Sequence, residues 1–209
     1  MHFFPSVKAA KQMIANGKIG EVGFISAMAG FRPKEYLQRH IDPKLWGGSF
    51  MDVGCYLLHL VVSILGYELP EKIFATSTLL DVGTDESTAV TMQYANGSKV
   101  ELYTTLAHRP PSEALIVGQH NYIRLNDPMW APDSIETRHG KQEFPLPRNF
   151  KRKMRHPNSE GMVYEIEGIR ECLLKGQKEC PLSPHKESLV VAQILERILD
   201  IVGVKFEIA

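Results

Sequence analysis

The sequence predicts an α+β fold, a large, mostly antiparallel open sheet with helices packed on one face. Two observations predict it. The elements run helix, strand, loop, helix, then a series of short strands, then two helices, rather than in the strict strand–helix alternation of a parallel sheet. An Asn96-Gly97 pair also lies between two alternating apolar segments, a strong short-range hairpin signal.

The elements follow in order. Pro5 suits the first turn of a helix, where its missing N–H is not needed, and Val7, Ala10, Met13 and Ile14 recur at helical spacing until Asn16-Gly17 stops the chain. Residues 22–29 read as a strand and 31–44 as a polar loop. A strongly apolar helix spans about 50–65, with Ser49 as a candidate cap. Strands are expected over 72–79, 86–94 and 99–106, the last two joined by a turn in which Asn96 and Gly97 take positive φ. Val90, Met92 and Tyr94 share one face; Val100, Leu102 and Leu106 share a face of the partner strand. Four shorter strands follow at 114–117, 122–125, 134–137 and 141–144. A basic, proline-containing loop then leads to helices over 160–175 and 184–202.

Composition narrows the function. Of the 209 residues, 24 are Lys or Arg and 24 are Asp or Glu, for a formal net charge of zero. That argues against a nucleic-acid or anionic-membrane binder; the one basic cluster, residues 151–156, reads as a solvated loop. The three cysteines, Cys55, Cys172 and Cys180, form no CxxC pair, which suits a reducing compartment. The longest apolar run, about 57–65, is short for a bilayer, and the amino terminus has no signal-peptide pattern, so a cytoplasmic chain is expected. The eight histidines show no zinc-ligand spacing, and no metal is expected.

The glycine run Gly17-Lys18-Ile19-Gly20-Glu21-Val22-Gly23 follows a helix and precedes a strand. That is the reverse of a dinucleotide fingerprint, so it reads as a helix stop and turn. The chemistry concentrates instead in WGGSFMDVGCYLLH. Asp52, Tyr56 and His59 stand at i, i+4 and i+7, a polar stripe on an otherwise apolar helix. Gly47 and Gly48 let the backbone or a ligand come close at the entry. Tyr56 reads either as a buried tyrosine with a satisfied hydroxyl or as a proton-transfer group.

Here the sequence resembles the Gfo/Idh/MocA oxidoreductase family, most closely its dihydrodiol dehydrogenase branch, with D-xylose dehydrogenases beside it. The segments FFPSVKAAKQMIANGKIGEV, WGGSFMDVGCY, DPMWAPDSI and GMVYEIEGIRECLLKG carry the resemblance along essentially the whole chain. It implies that these 209 residues are a substrate-binding and dimerisation domain. An N-terminal Rossmann domain holding NADP or NAD would lie outside them, so this chain alone is expected to be inactive. Tyr56 corresponds to the family's acid/base tyrosine and Asp52 to the aspartate at the helix start. Gly47 and Gly48 match two of the family's three glycines, Trp46 standing where the first would be. Arg39 resembles the arginine ahead of the glycine run, Trp130 an aromatic near the substrate, and His59 is either a core histidine or a proton relay. The expected partners are a cyclic diol or sugar and a second copy across the open sheet face, with neither nucleic acid nor membrane. The alternative is a catalytically inert short form acting as a dimerisation or small-molecule-binding module.

Overall fold

The computed structural model describes residues 1–147 and 158–206. The basic cluster at 151–156 lies outside them. The chain divides into two compact units, one formed by Met1–Val22 and Glu113–Lys186, the other by Gly23–Ser112 and Glu187–Ala209. The α+β class is the one the sequence predicts.

The second unit contains strand β1 (Val22–Gly30), short helix α2 (Gln38–Ile41), a 3-10 turn (Pro43–Leu45), a π-helical turn (Phe50–Gly54) and helix α3 (Cys55–Leu65). Strands β2 (Lys72–Leu79), β3 (Asp85–Gln93) and β4 (Lys99–Thr105) follow, and helix α5 (His185–Val202) supplies its last helical element. The strand order is β2-β3-β4-β1. β2–β3 and β3–β4 are antiparallel, whereas β1 lies parallel to β4 with Ala27 opposite Leu102. Alternation decides the two faces. Ile25, Ala27, Val90, Met92, Val100 and Leu102 are buried, as are Leu57, Leu58, Val61 and Val62 of α3 and Ile194 and Ile198 of α5. The opposite face carries Phe74, Thr91, Glu101 and Ser26 in one cross-strand row, and Thr76, Ala89, Tyr103 and Met28 in the next.

The β3–β4 hairpin forms where Asn96-Gly97 predicts it, but with a different turn. Only Gly97 has positive φ (86°), and Tyr94 N–H donates to the Ser98 carbonyl at 2.9 Å around a three-residue loop. The Asn96 side chain is used instead as an acceptor for the Ser98 N–H, at 3.0 Å. Such a loop needs a left-handed residue only at its last position, which glycine fills.

The run Pro43–Leu65 is long and apolar enough to cross a membrane by length and composition, with 56% of its most apolar window buried. It is not one uninterrupted α-helix. Trp46 and Gly48 have positive φ, the π-turn follows, and α3 itself has 11 residues, too few to span a hydrocarbon core.

The first unit contains helix α1 (Pro5–Ala15), strands β5 (Ala114–Gly118), β6 (Tyr122–Leu125), β7 (Ser134–Thr137) and β8 (Gly140–Glu143), and helix α4 (Met162–Leu174). The strands run antiparallel in chain order. Two glycines seat aromatic rings: a Cβ on Gly161 would meet Phe4 at 2.2 Å and one on Gly168 would meet Phe3 at 2.4 Å. The glycine run after α1 is the turn expected. Gly17 and Gly20 have φ of 69° and 76°, and the chain enters β1 rather than a helix.

Candidate functional site

The polar stripe of WGGSFMDVGCYLLH starts on a tightly constrained entry. Gly48 has φ of 114°, which L side chains rarely adopt, and a Cβ there would lie 2.3 Å from Asp85 Oδ1. A Cβ on Gly47 would lie 2.7 Å from the Ile41 backbone. Gly48 N–H donates to the His40 carbonyl at 2.8 Å and Gly47 N–H to that of Asp42 at 3.0 Å. The close approach these glycines permit is therefore made by the chain's own α2 segment and by Asp85.

Asp85 is the residue that sequence reasoning missed. It is fully buried at the start of β3, and its Oδ2 accepts from Ser49 Oγ at 2.5 Å, Thr88 Oγ1 at 2.7 Å and Phe50 N–H at 2.8 Å. Ser49 was the expected cap, but its hydroxyl donates to Asp85 and makes no capping bond. An acceptor from a distant strand satisfies the leading N–H of the π-turn instead, a requirement common to helix starts. Burial pushes the Asp85 carboxyl above its ordinary range, against the three hydrogen bonds that pull it down. The only local signal was an acidic residue opening an otherwise β-forming segment.

The π-turn places Asp52 and Tyr56 differently from a plain α-helix, since it inserts extra backbone ahead of α3. Tyr56 lies in the first turn of α3 with 44% of its surface exposed, while Leu57, Leu58 and Leu60 beside it are buried. Asp52 Oδ2 is buried without a hydrogen bond, and the Arg39 guanidinium forms an ion pair with it at 3.6 Å. His40 is buried, and its Nδ1 accepts the Leu37 N–H at 3.1 Å. Neutral His40 therefore carries its proton on Nε2, and that atom is also buried without a hydrogen bond. Burial, then the Arg39 charge, lower the His40 pKa, against the Asp52 carboxylate. Arg39, His40 and Asp52 thus form an electrostatic group in which one buried acceptor and one buried donor have no hydrogen bond.

His59, one turn beyond Tyr56, pairs through Nδ1 with the Glu187 carboxylate of α5 at 2.9 Å. Glu187 is itself buried. Trp46 takes a left-handed conformation (φ 58°) that glycine adopts without strain, and its ring stacks on Phe206 at 4.7 Å. Trp130 belongs to the other unit, where it packs with Leu146 and Tyr164 against buried Phe4, Val7 and Ala131. Arg39, Gly47, Gly48, Asp52, Tyr56 and His59 all lie in the second unit, within one stretch of 21 residues.

Fold and site together define a class: an α+β domain in which a glycine-entered π-turn presents an exposed tyrosine from an apolar helix. Residues 7–124 match the GFO/IDH/MocA C-terminal domain, and the chain belongs to that family. It is 33% identical over 204 residues to a trans-1,2-dihydrobenzene-1,2-diol dehydrogenase of Xenopus tropicalis, covering 98% of this chain and 61% of that protein. The corresponding protein of Bos taurus is 31% identical over the same length. The chain thus spans about three fifths of these relatives. Among solved structures, an NAD binding oxidoreductase from Klebsiella pneumoniae superposes with a TM-score of 0.75 at 14% identity, over 98% of this chain and 65% of that one. A 3-ketoreductase from Actinomadura kijaniata in complex with NADP does so at 0.68 and 18% identity, over 99% and 61%. At these identities the likeness is one of fold.

Proposed function

We propose that this chain is the substrate-binding and dimerisation domain of an NAD(P)-dependent oxidoreductase that acts on a cyclic diol or sugar, with Tyr56 as its acid/base residue. One observation carries the reading: an exposed tyrosine in the first turn of a buried helix, close in sequence to an Asp52 oxygen that has an ion pair but no hydrogen bond. A substrate hydroxyl donating to that oxygen would complete it, and the Arg39 cation would keep the carboxylate in place. Tyr56 then takes or gives the proton of the reacting hydroxyl.

A nicotinamide cofactor, when bound, supplies the hydride acceptor or donor. Its Gly-rich cradle is not formed by the Gly17–Gly23 turn, which lacks a helix start behind it. We assign it to a Rossmann domain outside these residues. The similarity to dihydrodiol dehydrogenases supports a diol, and the sheet face around Phe74, which is 64% exposed, supports pairing of two copies. The same face is what an inert dimerisation module would need, so activity must separate the readings.

The test joins the chain to its upstream Rossmann sequence and measures NADP and NAD reduction with trans-dihydrodiols and aldoses. Activity with one class, lost at least about a hundredfold in Tyr56→Phe, is the expected result. A Tyr56→Phe variant that retains full kcat overturns the acid/base assignment. A fully joined protein inert toward both classes favours the module.

A further inference from the structure

The first unit holds a feature that the proposed reaction does not use. Cys172 sits in the last full turn of α4, and Cys180 opens a tight turn closed by Ser183 N–H donating to the Cys180 carbonyl at 3.0 Å. Between them the helix ends in a fixed way. Gly176 takes φ of 66°, and Gln177 N–H returns to the Cys172 carbonyl at 3.0 Å. This reversal brings Cys180 back toward the helix end, beside the turn that carries Cys172. Both are free and partly accessible, and both line one cavity of about 290 Å³ with Lys8, Tyr164 and Lys175.

We propose that Cys172 and Cys180 are a dithiol modification site that a peroxide closes reversibly to a disulfide. The neighbouring Cys180 thiol is the main influence raising the Cys172 pKa, and the Lys175 ammonium opposes it. In the proposed reaction Cys180, outside the helix at the turn it opens, is the attacking sulfur. Its thiolate attacks one peroxide oxygen, breaking the O–O bond and forming a sulfenic acid; a proton from solvent releases the other oxygen as water. The Cys172 sulfur then attacks the sulfenic sulfur, and a second water leaves with the Cys172 proton. Two thiols are oxidised by two electrons, and one hydrogen peroxide is reduced to two waters. The product links the end of α4 to the 180–183 turn, and a dithiol reductant reverses it by exchange.

The test treats the whole chain with hydrogen peroxide and maps its peptides without reduction. The expected result is a linked Cys172–Cys180 peptide pair, lighter by two hydrogens, with free thiols falling from three to one and Cys55 remaining. Dithiothreitol should restore all three. Cys172→Ser should form no linked pair and carry the sulfenic acid on Cys180, trapped by dimedone. Irreversible sulfinic acid on both cysteines of the unmodified chain would overturn the proposal, as would bonds between chains or to Cys55. The peptide map of the unmodified chain decides the matter even if the serine variant fails to fold.

Discussion

Replacing Asp85 tests whether a strand residue holds the functional helix in place. In Asp85→Ala three donors lose their acceptor. Ser49 Oγ keeps its contact with Thr104 Oγ1 at 2.8 Å and Thr88 Oγ1 its contact with Ser77 Oγ at 3.1 Å, so Phe50 N–H is the group left buried and unpaired. The unpaired amide costs about 1–3 kcal/mol and each lost hydroxyl hydrogen bond about 1 kcal/mol, less the desolvation that the lost carboxyl no longer suffers, so a net loss of about 2–4 kcal/mol is expected. Asp85→Asn keeps an acceptor oxygen at Oδ2 and puts its amide where Oδ1 has no hydrogen bond, and should cost about 1 kcal/mol. Urea unfolding followed by circular dichroism reads both.

A pH dependence accompanies these losses. Burial raises the folded-state pKa of Asp85, so the native chain holds a proton that the unfolded chain has released. Its contribution to stability is complete below the ordinary carboxylate pKa of about 4 and is lost as pH rises through the higher folded value. Relative to Asp85→Asn, the unmodified chain should therefore lose stability from acid toward neutral pH. Asp85→Ala within about 1 kcal/mol of the unmodified chain, or as stable as Asp85→Asn, would refute the anchoring role.

Three further substitutions probe the same reasoning. Gly48→Ala combines an unfavourable φ with a Cβ 2.3 Å from a pinned carboxylate oxygen, and should destabilise by about 2–4 kcal/mol in the same urea assay. Phe206→Ala should cost about 1 kcal/mol in the native sequence and almost nothing after Trp46→Gly, because the stack is already gone; a double-mutant cycle reads the difference. Gly168→Ala gains about 1 kcal/mol of helix propensity but drives a Cβ to 2.4 Å from the Phe3 ring; a net loss of about 1–2 kcal/mol in thermal unfolding is expected.

Much of this protein was legible in one dimension because its signals are local. Periodicity located every long helix and strand to within a few residues, and β6 and β7 to the residue, since burial of one face imposes a period of 2 or 3.6 on the chain. The Asn-Gly pair placed the β3–β4 hairpin, and the chemistry-bearing segment stood out as polar residues on an apolar helix. The parallel pairing of β1 with β4 was not legible, because nothing within either strand encodes its neighbour's direction.

The sequence by itself determined the α+β class, the order of elements and the segment that presents Tyr56. Only the tertiary structure decided that Asp85, 36 positions beyond Ser49, takes over the capping of that segment. The same holds for Glu187, which meets His59 across 128 positions. A buried polar group must find its partner wherever the folded chain brings one, and sequence spacing carries no record of that meeting.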